Sequence, residues 1–252
     1  MKRLTVAVLG ILAIGSWSGG TTTLAEEPES AEKATNFAVD KGKEGSAAAV
    51  ALVNQASQLV SYARENESPT AMLAAVQMLR RVRMQEGLAK AGTKELEGTD
   101  KGDTPTLETK GKTPAPILDP SQLLAEAKPW AKGNKHLVAL IEAEAAKPRA
   151  SSGGTLGHTT GATLHKDTVQ ARTVDHYDLT FTGGEIARVV VYGDGDTDLD
   201  LYINDENGNL IVKDDDRTDR CAVQWTPKWT GKFRVSVANR GRVANQYALA
   251  TN

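Results

Sequence analysis

The sequence predicts an α+β chain in which an N-terminal helical segment precedes a C-terminal all-β sandwich, and three observations carry that expectation. Apolar residues recur at helical spacing over residues 46–87 and again after Asp119, whereas from about Leu164 they alternate with polar ones. Two intervening stretches, rich in Gly, Thr, Ser, Lys and Pro, hold too little apolar surface to offset the roughly 1–2 kcal/mol of backbone entropy that each ordered residue costs. Aromatic residues are only 5% of the 252, as expected if part of the chain buries no core.

Residues 1–25 read as a secretory signal. Lys2 and Arg3 precede the apolar run 4–14, and Thr23-Leu24-Ala25 supplies small residues for cleavage ahead of Glu26. That run is about half of the ~20 residues needed to cross a bilayer. The expected location is therefore periplasmic or secreted, with no membrane span after cleavage. Residues 26–45 read as a flexible N-terminus.

Over residues 46–91 a helical hairpin is expected. Leu52, Ala56, Leu59 and Ala63 form one stripe, and Met72, Val76, Leu79 and Val82 form a second. Ser68 and Pro69 between them supply an N-cap and a first helical position. Residues 92–118 read as a disordered linker. Residues 119–147 return to helix: Asp119-Pro120 starts one, Pro129 interrupts it, and Asn134 caps another whose face carries Leu137, Leu140, Ile141 and Ala145. Residues 148–163 read as a second flexible linker. The helices suit a small bundle or self-association element, or else a partner-binding surface lined by Met72, Met78 and Met84.

Residues 164–252 carry seven short strand signals, which indicate a β-sandwich. Asp175, Tyr177, Leu179 and Phe181 alternate with Val174, His176, Asp178 and Thr180, while Leu199, Leu201 and Ile203 oppose Asp198, Asp200 and Tyr202. Asp205-Glu206-Asn207-Gly208 marks a hairpin. The expected core is Leu179, Phe181, Val189, Val191, Leu199, Leu201, Ile203, Val223, Trp225, Phe233, Val235, Val237, Tyr247 and Leu249.

In the same region the run GDGDTDLDLYINDENGN, followed by CAVQWTP, TGKFRVSVAN and NQYALAT, resembles the bacterial pre-peptidase C-terminal (PPC) domain, which is related to the collagen-binding domains of clostridial collagenases. The resemblance implies a jelly-roll-like sandwich with a non-catalytic role and, in some members, calcium-dependent stability or binding to an extracellular polymer. The acidic linker where collagen-binding relatives place calcium ligands has no counterpart before the first strand, so collagen binding does not carry over.

The residues themselves also raise calcium as a candidate cofactor. Ten acids lie between Asp194 and Asp219 against Lys213 and Arg217, and hard cations take such oxygen ligands. Asp194, Asp196, Asp198, Asp200, Asp214, Asp215 and Asp216 are the candidate metal ligands if the two loops converge; otherwise they form a solvated edge that blocks strand pairing. An EF-hand is excluded because Leu199 occupies the place of its glycine. Tyr202 and Trp229 are candidate ligand-contact aromatics.

Catalysis finds little support. The chain has no G-x-S-x-G or H-E-x-x-H motif, its single cysteine, Cys221, excludes thiolate zinc spacing, and His136, His158, His165 and His176 lack a nucleophile context. The net charge of −2 implies no general attraction to nucleic acid. The sequence thus points to an exported, non-enzymatic module, calcium-stabilised and binding an extracellular polymer or secreted protein. The alternatives are an accessory or folding-assistance partner of a secreted hydrolase, with the helices as contact surface, and an unrecognised secreted hydrolase.

Overall fold

The computed structural model describes residues 34–96, 117–147 and 159–252, among which four helices and ten strands form. Each of three helices begins on the residue the sequence marks. Ser68 accepts from Ala71 N ahead of α2 (Pro69–Leu79). Asp119 accepts from Ser121 N and Gln122 N ahead of α3 (Pro120–Trp130). Asn134 accepts from Leu137 N ahead of α4 (Lys135–Ala145). In each case a side-chain oxygen satisfies amides that the first helical turn leaves unpaired. The longest helix, α1 (Ala47–Glu65), buries Val50, Val53, Ala56, Val60 and Ala63, while Leu52 and Leu59 from the expected stripe lie at its margin. On α4, Ile141 is buried, whereas Leu140 points to solvent.

The strands assemble into two five-stranded sheets. The first has the order β1 (Val82–Glu86), β3 (Thr159–Val169), β10 (Asn245–Thr251), β5 (Ala187–Gly193) and β8 (Arg220–Trp225), with β1 parallel to β3 and the others antiparallel. The second has the order β2 (Gly92–Glu95), β4 (Thr173–Phe181), β9 (Gly231–Asn239), β6 (Leu199–Asp205) and β7 (Leu210–Asp214), antiparallel throughout. Between them lies the expected core. Every residue named for it is buried there except Leu179, which is partly buried, and Val169, Tyr177, Ala187 and Cys221 join it. Phe181, Trp225 and Phe233 pack edge-on or tilted at 4.7–5.8 Å, the favoured arrangement for aromatic rings.

A second apolar core lies on the other side of the first sheet. Strand alternation turns Ala162, Leu164, Val190, Tyr192, Ala248 and Ala250 away from the sandwich interior, where α1 packs on them and α2, α3 and α4 complete the same apolar cluster. The order is thus helices, first sheet, second sheet, and residues Ala34–Asn252 form one compact unit.

This packing corrects several boundaries. Val82 belongs to a strand rather than to the second helical stripe, because β1 pairs with β3. Part of the stretch read as a disordered linker is strand β2, and β3 begins at Thr159, inside the stretch read as a second linker. Residues 34–43, read as flexible, form a strap along the sandwich: Ala38 N donates to Thr226 O, Lys43 N to Gly184 O, and Ile186 N to Lys43 O. Buried Asn36 fixes the strap's start, its Oδ1 accepting from Lys228 N and Trp229 N. The signal and the remainders of both linkers, residues 1–33, 97–116 and 148–158, lie outside the described residues.

Candidate functional site

Strand alternation and the β5–β6 and β7–β8 connections place the candidate acids at one end and on one face of the second sheet. Five of the seven candidate acids meet a partner within the chain. Asp194 accepts from Asp196 N at 3.2 Å and Gln246 N at 2.9 Å. Asp200 is buried on the outer face of β6 and pairs with Arg240. Asp214 accepts from Ala222 N, Asp215 pairs with Lys213, and Asp216 accepts from both the amide and the hydroxyl of Thr218. Asp196 is exposed. Asp219, absent from the candidate set, holds the loop by accepting from Gly195 N. At Gly193 a Cβ would stand 2.7 Å from both Asp219 Oδ2 and Asn245 Oδ1, so only glycine allows this approach.

Burial pushes the Asp194 and Asp219 carboxyls upward, and burial followed by the charges of Asp200 and Asp216 does the same at Asp198. Asp198 Oδ1 is buried without a hydrogen-bond partner. Even so, among the described residues no group of three or more His, Cys, Asp or Glu is placed to hold a metal ion. Most of the carboxylates in these loops accept instead from amides, hydroxyls and cations of the chain itself. The thermal midpoint is therefore expected to be the same in chelator and in about 10 mM calcium, above the dissociation constants usual for extracellular calcium modules. A calcium-selective rise would return a cation to Asp198.

Tyr202 stands on the open face of the second sheet. Its hydroxyl donates to Asp200 Oδ2 at 2.9 Å and accepts from Arg240 at 2.8 Å, so ring and guanidinium hold each other in place. Beside it an open depression of about 410 Å³ is lined by Asp178, Asn204, Lys232 and Arg234, with Asp205, Glu206, Gly208 and Phe233 at its end. Trp229 lies at the turn under the strap, next to Glu206 at the end of the depression. Its indole N–H donates to Glu206 at 2.6 Å and its backbone is bound by Asn36, so the strap and the β6–β7 turn hold it in place.

Sequence reasoning missed a buried polar network between the two sheets. Lys90, in the β1–β2 connection, reaches Asp167 and Asp175 at 2.9 Å each. Thr93 donates to Asp175 at 2.6 Å, and His165 Nδ1 accepts from Leu88 N, which leaves Nε2–H to face Asp167. Tyr177 and Tyr247 touch through their hydroxyls and reach Asp167 and Asp175 respectively. Burial pushes both phenols upward, so they remain neutral donors. The available signal was Asp175, an acid on the inward side of an alternating strand. Its cation, Lys90, comes from the stretch read as a helical hairpin.

Among the other reactive groups, the buried Cys221 thiol donates to Leu199 O, and burial pushes it upward, away from thiolate. His136 is exposed, and His176 Nδ1 meets Ser236 Oγ at 2.9 Å. His158 lies outside the described residues. No helix among the described residues is long and apolar enough to cross a membrane.

No family model matches the chain, and no curated protein matches it. Among solved structures it is similar to a periplasmic lysozyme inhibitor of g-type lysozyme from Aeromonas hydrophila, with 16% identity and a TM-score of 0.30 over 36% of this chain and 84% of that one. A de novo designed double-stranded β-helix gives 12% identity and 0.24 over 35% and 97%. The pre-peptidase C-terminal domain of a collagenase from Bacillus anthracis gives 10% and 0.22 over 36% and 76%. Likenesses at this level name no ligand for this chain.

Proposed function

We propose that the chain is an exported, non-catalytic binding protein whose contact surface is the open face of the second sheet, and whose partner is an extracellular polymer or secreted protein. The observation that carries the reading is the unequal treatment of the two outer sheet faces. One is apolar and roofed by α1, with the other three helices in the same apolar cluster. The other is polar, uncovered, and carries the fixed Tyr202–Arg240–Asp200 group beside the depression. Sheets packed on one face commonly solvate the other, but a pre-set group of aromatic ring and guanidinium lowers the ordering cost of binding there. Export rests on the signal-like residues 1–25. A helix-mediated role has less to work with, since the helical stripes already cover the first sheet.

The test is retention of the chain from Glu26 onward on insoluble cell-envelope and extracellular-matrix fractions. Wild type is expected to be retained, and Tyr202→Ala combined with Asn204→Ala to weaken retention at least tenfold while the fold persists by circular dichroism. Retention indifferent to both changes sinks the reading. Turnover in a peptidase, esterase and glycosidase screen would favour the hydrolase instead.

A further inference from the structure

One edge of the first sheet is not sealed by the helices. α1 packs over β3, β10 and β5, whose outward side chains Leu164, Ala250 and Val190 are apolar. The edge strand β8 sends Cys221, Val223 and Trp225 into the sandwich core, so alternation turns Arg220, Ala222 and Gln224 outward, where they offer a helix no large apolar surface to cover. Between α1 and this strand lies a cleft of about 330 Å³, at the small end of the range for small-molecule sites. Asn54 and Gln58, one turn apart on α1, line it together with Asp214 at the end of β7, Asp216 in the β7–β8 connection and Arg220 on β8.

The charged groups of the cleft are held apart rather than paired. Asp214 Oδ2 accepts from Ala222 N at 2.9 Å, and Asp216 Oδ1 accepts from the amide and the hydroxyl of Thr218 at 2.8 and 2.7 Å. These bonds fix both carboxylates and leave Asp214 Oδ1 and Asp216 Oδ2 without a hydrogen-bond partner among the described residues. Arg64, Arg188, Arg234 and Arg240 each take a carboxylate, whereas the Arg220 guanidinium forms no ion pair or hydrogen bond among the described residues, even with the two acids beside it. The side-chain amides of Asn54 and Gln58 are likewise unengaged there. Two acids against one base give the lining a balance of −1. Residues 213–220 as a whole, with four acids and three bases, keep that balance, and the part of α1 over residues 47–63 brings no charge. Asp198, close enough to Asp216 for the two charges to act on each other, adds to the negative side.

We propose that this cleft binds a basic α-amino acid, its carboxylate on Arg220, its two ammonium groups on Asp214 and Asp216, and the Asn54 and Gln58 amides as further partners. Such a ligand carries two positive charges and one negative, so each charged group of the lining meets its opposite through a charge-assisted hydrogen bond. A metal ion would serve the acids alone, an anion would face two carboxylates, and a neutral sugar would bring no counter-charge to any of the three. The site lies beside α1 and away from the open face of the second sheet, so it stands or falls independently of the contact surface proposed above.

The probe is L-lysine, titrated calorimetrically at low salt into the chain from Glu26 onward, with cadaverine, which lacks the carboxylate, and L-glutamate, which reverses the charge balance, as comparison arms. L-lysine is expected to bind, cadaverine to bind at least tenfold more weakly, and L-glutamate not to bind. Arg220→Gln should bring L-lysine down to the level of cadaverine while cadaverine binds no more weakly than before. Asp214→Asn combined with Asp216→Asn should lose both ligands, and it keeps the fold by circular dichroism because the amide oxygens still accept from Ala222 N and Thr218. Absence of L-lysine binding, equal affinity for cadaverine or L-glutamate in wild type, or L-lysine binding indifferent to either change overturns the proposal.

Discussion

Asp175→Ala is expected to destabilise the protein by about 3–5 kcal/mol, the usual cost of removing one partner of a buried ion pair. For a domain of this size that is a fall of about 6–20 °C in thermal midpoint. Asp175 is 1% exposed and accepts from Lys90, Thr93 and Tyr247 together, so its loss leaves three donors short of an acceptor. These partners sit on the β1–β2 connection, on β2 and on β10, which makes this carboxylate a tie between the two sheets. A midpoint within about 2 °C of wild type, less than one kcal/mol for a chain this long, would show that the network contributes nothing net.

The pH dependence of the same network has a determined sign. Despite the opposing effect of burial, bonds from Lys90, Thr168 N and His165 hold the Asp167 carboxyl below its ordinary range. Its contribution is therefore fully present above the unfolded carboxylate pKa of about 4 and is lost as pH falls through the lower folded value. Lys90 behaves oppositely: burial opposes its charge, but Asp167 and Asp175 hold it above the ordinary lysine range. Its contribution is present below about pH 10 and is lost as pH rises through the raised value. The gap in midpoint between wild type and Lys90→Met should thus be widest near neutrality and narrow below about pH 4. An equal gap at pH 3 and pH 7 would mean that Lys90 acts by packing alone.

Val190→Glu is the second large expected effect, because it asks whether the helices and the sandwich are one body. Val190 lies on the outer face of the first sheet, 4% exposed beneath the helices. Burying its side chain contributes about 1.5–3 kcal/mol, and an unpaired carboxylate there adds several more, so a loss of at least about 4 kcal/mol is expected. In a Trp130→Phe background, which leaves Trp225 and Trp229 to report the sandwich, unfolding by denaturant followed by far-ultraviolet dichroism for the helices and by tryptophan emission should give one coincident transition, shifted down when Val190→Glu is added. If the helices stood apart, that face would be wet and the same change would be nearly silent.

How far the fold is legible in the sequence differs between the two cores. In the sandwich nearly every inward residue can be named from alternation, since Phe181, Leu201, Trp225 and Val235 each follow the two-residue period with a polar neighbour on either side. Val190 and Tyr192 break that pattern, and so do Ala248 and Ala250: β5 and β10 are apolar on both faces, the mark of strands covered on both sides. The candidate site is less legible. Tyr202, Asp200 and the Asp194–Asp198 turn could be placed by pattern, but Arg240, Asn36 and Lys90 reach their partners across 40, 169 and 85 positions of sequence.

By itself the sequence determined what depends on neighbours in the chain: the caps at Ser68, Asp119 and Asn134, the turn at Gly208, the seven strands and their inward faces. Only the tertiary structure decided that Val82 extends a sheet, that the strap of residues 34–43 is docked, and that the acidic loops bind the chain's own donors. The reason is that a short segment such as residues 82–86 or 92–95 buries too little surface to fix its own conformation. Its state is set by the backbone groups another strand offers it, and those come from residues that local pattern does not reach.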